Sequence, residues 1–581
     1  MSPTAADPIL RPLEVGRHQA CDKKRLEKTY ETGVALSPRH QHETYGAVSA
    51  GHPEVAEVGA EILGRGGNAV DAAIAAFFTA FHAEPMLSSV GGGGFLVARV
   101  DGELSSYDFF AAAPGLGASE GPYKPGPGAF WGIEVDFGAA TQTFHVGPGS
   151  IAVPGALAGL CTAHRDYGEL PLADLLEPAI RACKGGAVLS DMGSFVLELL
   201  EPIVRSNPTF ERYFTQPDGQ LMHGGQHATN PELASFYEKL ADAGSEDLFY
   251  RGEVRDALLT HVLGAGGGIT ARDLDEYRAV KRPPLTVDLQ GGATTLVLTP
   301  PPSGGGALIA YGMLLLETVP ERNFASREEV LLLRAVMQEM LTARNEVLGA
   351  EVPTLDLVFK LLEPSNVAKG RKRLERLLEL GTAALPPIPE LRNLVGNTTH
   401  VSTIDKDGNA CSVTLSNGEC SGVVLPGYGI FLNNFLGEED INPGGFHAFK
   451  PGERLGSAMS PTLLISKRDG DIVSMGSGGS NRIRTAIVQV VRNMLTHSLP
   501  ASEAVSADRV HYEHDTLFGE ATQNPQILAD LAKDGVRLSS FPKQSMFFGG
   551  VHVAERRADG SFDGVGDARR SGATRLVHHL Q

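Results

Sequence analysis

Thr398, Thr399 and His400 stand at the head of an alternating run that turns at Asp407-Gly408 and returns through Ser412, Thr414 and Ser416. Two such runs around Asp-Gly read as a β-hairpin, because that dipeptide tolerates the positive φ angles of a tight turn. A turn centred there lays Thr399 opposite Ser416 and Thr398 opposite Asn417, so a hydroxyl and an amide flank a threonine at a strand start. A threonine hydroxyl is a weak nucleophile without a base beside it. An N-terminal threonine carries that base in its own α-amino group, whose ordinary pKa of about 7.7 to 8.0 suits neutral pH. The chemistry implied is acyl transfer, on the condition that the chain is cut before Thr398. Taken alone, the same residues are also ordinary strand chemistry.

The elements that must position this hairpin are legible on both sides of it. Residues 1–44 are polar and charged, with Pro8, Pro12 and Pro38 interrupting any helix, and read as an arm over a body that starts near Tyr45. His52–Gly64 spaces its apolar residues as one helix face, and Asn68–His82 is a more apolar core helix opened by an Asn cap. Gly91–Gly94 leads into a strand over Leu96–Val100, a turn at Asp101-Gly102 and a strand into Phe110. Residues 165–280 and 325–385 are helical by period, with Arg371–Arg376 as a solvated helix face. Strands return after Asn397, and a helix follows over RIRTAIVQVVRNMLTH from Arg482. This order predicts a layered α/β body.

Composition narrows the partners. Hydrophobic residues make up 42% of the 581 and charged residues 20%, as in a globular protein. The formal net charge of -19 repels a duplex or an anionic membrane surface, so no nucleic acid and no membrane partner is expected. Without an apolar signal-like run near Met1 or a membrane-length run elsewhere, the expected location is cytoplasmic. Cys21, Cys161, Cys183, Cys411 and Cys420 are scattered with no C-x-x-C pair, which predicts buried free thiols rather than disulfides or a zinc site; Cys420, next to Glu419, has pocket lining as its alternative. Gly91–Gly94 lacks the Lys-Ser/Thr ending of a phosphate loop, and Gly264–Gly268 suits a helix end. No cofactor and no metal is expected.

Beyond the hairpin, a series of segments runs in a recognisable order. These are residues 47–95 (with GGNAVDAA), GPGSIAVPG from Gly147, PPPSGGG from Pro300, TTHVSTIDKDGN from Thr398, GIFLNN from Gly429, MSPT from Met459 and GSGGSNRI from Gly476. In these segments the chain resembles the γ-glutamyltransferase (glutathione hydrolase) family of N-terminal-nucleophile hydrolases, over nearly all of its length after residue 45. The resemblance implies a four-layer αββα sandwich, and a precursor that cuts itself between Asn397 and Thr398 into a large chain (45–397 beyond the arm) and a small chain (398–581). Both chains would associate in one domain. It further implies that Thr398 forms an acyl-enzyme with a small-molecule amide, resolved by water or by an amino-acid or peptide acceptor, with Ser416 supporting it. The backbone N–H groups of Gly479 and Ser480 would hold the oxyanion.

The chain departs from the family in the acyl pocket. Where the family carries an arginine for the substrate α-carboxylate, this sequence has Phe110, and loss of a bidentate charged pair removes several kcal/mol of recognition. The positions that bind the α-amino group read Phe435 and Glu438; of two serines before Met459, Ser457 is kept and the second is Ala458. Either Ser416 or Asn417 takes the supporting place beside Thr398. Three readings follow: a γ-glutamyl enzyme with a rebuilt pocket, an acylase or amidohydrolase acting on a less zwitterionic amide, and an uncut relative without catalysis. Arg482 and Arg569 are expected in surface salt bridges, with restoring a carboxylate contact as the alternative role of either.

Overall fold

The computed structural model describes residues 44–118, 123–136, 141–349, 352–385 and 397–578. The arm expected over residues 1–44 lies outside these apart from Thr44, which begins the first strand. Cys21 is also outside them.

Two large antiparallel sheets form the centre. The first runs in the order β13-β1-β7-β8-β2-β3-β4, where β1 is Thr44–Ala50, β2 Gly93–Val100, β3 Glu103–Phe109, β4 Val280–Arg282, β7 Thr399–Asp405, β8 Ala410–Ser416 and β13 Ala573–His578. The second runs β12-β11-β10-β9-β6-β5, where β5 is Leu285–Leu289, β6 Thr294–Leu298, β9 Thr462–Ser466, β10 Ile472–Gly478, β11 Gly550–Arg556 and β12 Phe562–Val565. Both sheets combine strands from before and after residue 398, so neither half of the chain could complete a sheet alone.

Three apolar layers separate four structural ones. Between the sheets lie Ala47, Val97, Ile404 and Ala410 of the first and Val297, Leu463, Ile472 and Ala554 of the second. Outside the first sheet pack helices α1 (Pro53–Gly64) and α2 (Ala69–Ala83). Outside the second pack α3 (Gly305–Leu316) and α5 (Arg482–Leu495), backed by α4 (Arg327–Ala343). The order helix, sheet, sheet, helix is the αββα sandwich.

Sequence accounts for the helices facing the first sheet. Asn68 caps α2 by accepting from the N–H groups of Val70 and Asp71, and Asp71 returns the bond to the Asn68 backbone. All fifteen α2 residues are buried, and Phe77, Phe78 and Phe81 each contribute roughly 1.5–3 kcal/mol by leaving water. His52 caps α1, whose Val55, Val58, Ile62 and Leu63 turn inward while Glu57 stays exposed. The charged run Arg371–Arg376 lies on the helix Pro364–Leu380 and is only partly solvated, since Arg373 clamps the buried carboxylate of Glu339 with two bonds.

The hairpin register differs by one residue from the expected one. Asp405 accepts from the N–H groups of Asp407 and Asn409, closing a three-residue loop in which Gly408 has φ +80°. Thr399 therefore faces Leu415 and His400 faces Thr414. Continued one step, this register sets Ser416, not Asn417, opposite Thr398.

Candidate active site

Thr398 is 5% exposed and lies at the entry of β7, lining a cleft between the sheet ends and the helices outside the second sheet. Its hydroxyl makes no hydrogen bond among the described residues. Its carbonyl accepts from Arg570 Nη1 at 3.3 Å and meets β10 closely, where a Cβ on Gly478 would lie 2.2 Å from that oxygen. Only glycine permits that approach.

Asn397, the residue before Thr398, is held by both its backbone carbonyl and its backbone N–H. Ser416 Oγ donates to the Asn397 carbonyl at 2.6 Å, and Glu419 Oε1 accepts from the Asn397 N–H at 3.1 Å. The Gly418 N–H in turn donates to Ser416 Oγ at 3.1 Å, fixing the hydroxyl's direction. Five of the motifs meet here. Asn433 bonds the backbones of Gly91 and Ala152, Asn434 accepts from the Glu419 N–H, and Ser303 of the PPPSGGG run donates to the Met459 carbonyl at 2.6 Å. The segments shared in order along the sequence are the ones that tie the cleft in space.

Of the expected site residues, Ser416, Ser480, Phe110, Phe435, Glu438 and Ser457 line this cleft with Thr398. Gly479 precedes Ser480 in the tight turn after β10, where both take positive φ, +121° and +49°. Serine in that left-handed conformation is costly, and its side chain is anchored by a 2.9 Å bond to Asp440. Asn417 is placed elsewhere: the one-residue shift in register turns it inward, where it accepts from Ser89 and donates to the Cys420 sulfur. Cys420 is buried and does not line the cleft, as for a structural thiol.

Two expectations about arginines are corrected. Arg482 and Arg569 are both buried rather than on the surface, and neither lines the cleft. Arg482 stacks over the Phe547 ring and donates to the Phe547 carbonyl. Arg569 is locked between Glu520 and Asp567. The cleft's cations are instead Arg344 and Arg484. Sequence reasoning missed both, along with Asp440 and the anchoring role of Glu419.

The cleft is divided in character. Phe110 packs on Phe435 with ring centroids 4.7 Å apart and on Phe95 at 5.7 Å, giving an apolar wall. Burial, then neighbouring negative charge, pushes Glu438 of the cleft, and Glu419 at the Asn397 N–H, well above the carboxylate range. Burial likewise pulls the Arg344 guanidinium below its ordinary pKa and Arg484 down to about 10. His400 stacks on His552 within the sandwich and bonds Thr414 and Ser402; burial keeps it neutral, so it supports β7 rather than the cleft. Among the described residues no cluster of His, Cys, Asp or Glu could hold a metal, and no helix is long and apolar enough to cross a membrane.

Comparison with known proteins agrees with this architecture. The chain is 33% identical over 507 residues to the glutathione hydrolase proenzyme of Pseudomonas aeruginosa, covering 82% of this chain and 85% of that protein. It is 28% identical over 541 residues to the acylase ACY 1 proenzyme of Pseudomonas sp. strain V22, covering 91% and 92%. In three dimensions it matches cephalosporin acylase from Bacillus halodurans with a TM-score of 0.74 at 23% identity, over 92% of this chain and 96% of that one, which speaks to the fold. The sequence profile of gamma-glutamyltranspeptidase matches residues 55–577, so the chain belongs to the gamma-glutamyltranspeptidase family of N-terminal-nucleophile enzymes.

Proposed function

We propose that the chain is a precursor that cuts itself between Asn397 and Thr398 and then cleaves small amides through an acyl-enzyme on Thr398. The observation that carries this reading is the 2.6 Å bond from Ser416 Oγ to the Asn397 carbonyl, beside a threonine hydroxyl that makes no hydrogen bond among the described residues. Attack of the Thr398 hydroxyl on the Asn397 carbonyl carbon builds negative charge on the oxygen that Ser416 already contacts. The C–N bond then breaks, leaving an ester on Thr398 and a free α-amine. Water hydrolyses the ester to a carboxylate on Asn397.

In the cut form the same hydroxyl attacks a substrate amide, with the α-amine taking its proton and passing it to the departing amine. Backbone N–H groups at Gly479 and Ser480 are the candidates to hold the oxyanion. Residues 1–397 and 398–581 stay together because both contribute strands to each sheet. Relatives named as glutathione hydrolases and as acylases are both similar to this chain, and the Phe110–Phe435 wall favours an acyl group other than a free γ-glutamyl zwitterion.

The test is a set of chromogenic anilides bearing γ-glutamyl, glutaryl and pentanoyl groups. Wild type releases nitroaniline from at least one, Thr398→Ala from none, and Thr398→Ser keeps part of the activity. Equal release by wild type and Thr398→Ala would end the proposal.

A further inference from the structure

Arg570 stands behind the nucleophile and is used by no step of the reaction drawn above. It closes the short turn Ala568–Arg570 before β13, and its Nη1 donates to the carbonyl of Thr398 at 3.3 Å. The residue is 2% exposed, and its Nε and Nη2 have no hydrogen-bonding partner among the described residues. Other buried arginines are tied down: Arg569 by Glu520 and Asp567, and Arg492 by Glu329 through two bonds. A desolvated guanidinium with idle donors costs stability, and groups kept at such a cost cluster at functional sites.

The surrounding backbone makes room for this side chain. A Cβ on Gly550, at the start of β11, would lie 2.7 Å from Arg570 Cδ, and Cβ atoms on Gly478 and Gly479 would lie 3.1 and 3.2 Å from Nη1 and Nη2. Glycine at these three places leaves a slot through which the guanidinium reaches the Thr398 carbonyl.

The charge in the slot is not cancelled locally. Burial, then the like charge of Arg482, pulls Arg570 down to about 10, which leaves it cationic at neutral pH. The acids that sense it are Asp567, Glu84 and Glu419. Asp567 is already engaged by Arg509 and Arg569. Burial raises Glu84, just after α2, to about 7, and holds Glu419 well above the carboxylate range, as it does Glu438; Asp440 is raised too. His552 on β11 is pulled down by burial to about 4 and adds no charge at neutral pH.

Cutting the chain turns the nitrogen of Thr398 into an α-amine. Backbone dimensions keep that nitrogen within about 4 Å of its own residue's carbonyl oxygen, and so within about 7 Å of Arg570 Nη1. An ordinary α-amine, with a pKa of about 7.7 to 8.0, is mostly protonated at pH 7 and cannot take up a proton. A fixed positive charge at this range disfavours its ammonium form. We propose that Arg570 is a positioning residue of the cut enzyme: it fixes the Thr398 carbonyl and, by its charge, keeps the α-amine of the same residue in the free-base form that accepts the hydroxyl proton. This rests on the self-cleavage and amide chemistry proposed at Thr398 and adds the group that sets its working pH. Glu84, which accepts from the Thr399 hydroxyl, opposes Arg570 as it ionises.

The experiment is trace labelling of the purified, cut protein with dinitrofluorobenzene from about pH 5 to pH 10, read by mass spectrometry on the peptide that begins at Thr398. Only the free-base amine reacts, so the midpoint of labelling is the pKa of the α-amine. Wild type is expected to titrate at least about one pH unit below the ordinary range of about 7.7 to 8.0. Arg570→Gln should return the midpoint to that range, and Arg570→Lys, which keeps the charge, should stay nearer wild type. A purely structural role would alter stability and leave the midpoint where it was. A cut wild-type chain with an ordinary α-amine overturns the inference whether or not the variants fold, and so does an unchanged midpoint in Arg570→Gln; both leave the amidase reading standing. A wild-type chain that stays whole has no such amine and overturns both.

Discussion

Ser416 Oγ lies 2.6 Å from the carbonyl oxygen of Asn397, the peptide group immediately before Thr398. A donor already in contact with an oxygen that must become negative needs no reorganisation when the charge develops, and one such donor is typically worth about 10²–10³ in rate. Ser416→Ala is expected to slow self-cleavage by about that factor and Ser416→Thr to restore most of it. A time course of freshly translated chains on a denaturing gel reads both.

Glu419 accepts from the Asn397 N–H, one peptide group before the bond to Thr398, and burial, then Asp440, raises its carboxyl well above the ordinary carboxylate range. Glu419→Gln keeps an acceptor oxygen, so it should process at a rate within a few-fold of wild type. Glu419→Ala removes the anchor and should process roughly tenfold more slowly, as for loss of one hydrogen bond of about 1–1.5 kcal/mol. Equal rates for the two variants would show that the contact does not position the peptide.

Thr398 stood out as a candidate nucleophile because it, the Asp407-Gly408 turn and the ordered segments around them are local signals. Supporting partners were less so. The exact register depended on Asp405 folding its side chain over a three-residue loop, which moved Asn417 out of the cleft and Ser416 in. Arg344 gave no signal, since it continues a run read as one long helix, and only the turn at Arg344–Leu348 sets it at the cleft. Arg482 and Arg569 looked like surface charges because charge in sequence carries no mark of burial; what buries them are partners far along the chain, Phe547 and Glu520. Strand β1 was missed because small residues such as Gly46, Ala47 and Ser49 have weak strand preference and are held by β7 and β13.

Phe110 sits 1% exposed between two aromatic rings, so returning the family's arginine there does not return its function. Phe110→Arg should leave γ-glutamyl anilide cleavage no higher than wild type while lowering the thermal midpoint, because an unpaired guanidinium is costly in an apolar wall. A rise in γ-glutamyl activity without loss of stability would show that the wall is more adaptable than it looks.

Arg569 closes a fully buried network with Glu520 and Asp567, which Arg509 joins at 2.6 Å through Asp567. Removing one partner strands the other charges, so Arg569→Ala is expected to cost about 3–5 kcal/mol, measured by denaturant unfolding. Since this network does not line the cleft, soluble Arg569→Ala protein should keep the anilide preference of wild type.

Glu84 accepts from the Thr399 hydroxyl at 2.9 Å, and burial raises its pKa from 4.5 to about 7. A carboxyl that holds its proton more tightly when folded favours the fold at low pH, and this advantage is lost as pH rises from about 4.5 through 7. Wild type should lose on the order of 2 kcal/mol more stability than Glu84→Gln between pH 5 and pH 8. Parallel pH profiles for the two proteins would remove Glu84 from the account.

The central claim is tested most directly by the intact mass of the purified protein under denaturing conditions, with Thr398→Ala alongside. Two chains, the smaller beginning at Thr398, with the variant remaining whole, is the predicted result. A single uncut wild-type chain of 61.5 kDa, or a cut at the same place in Thr398→Ala, would contradict it.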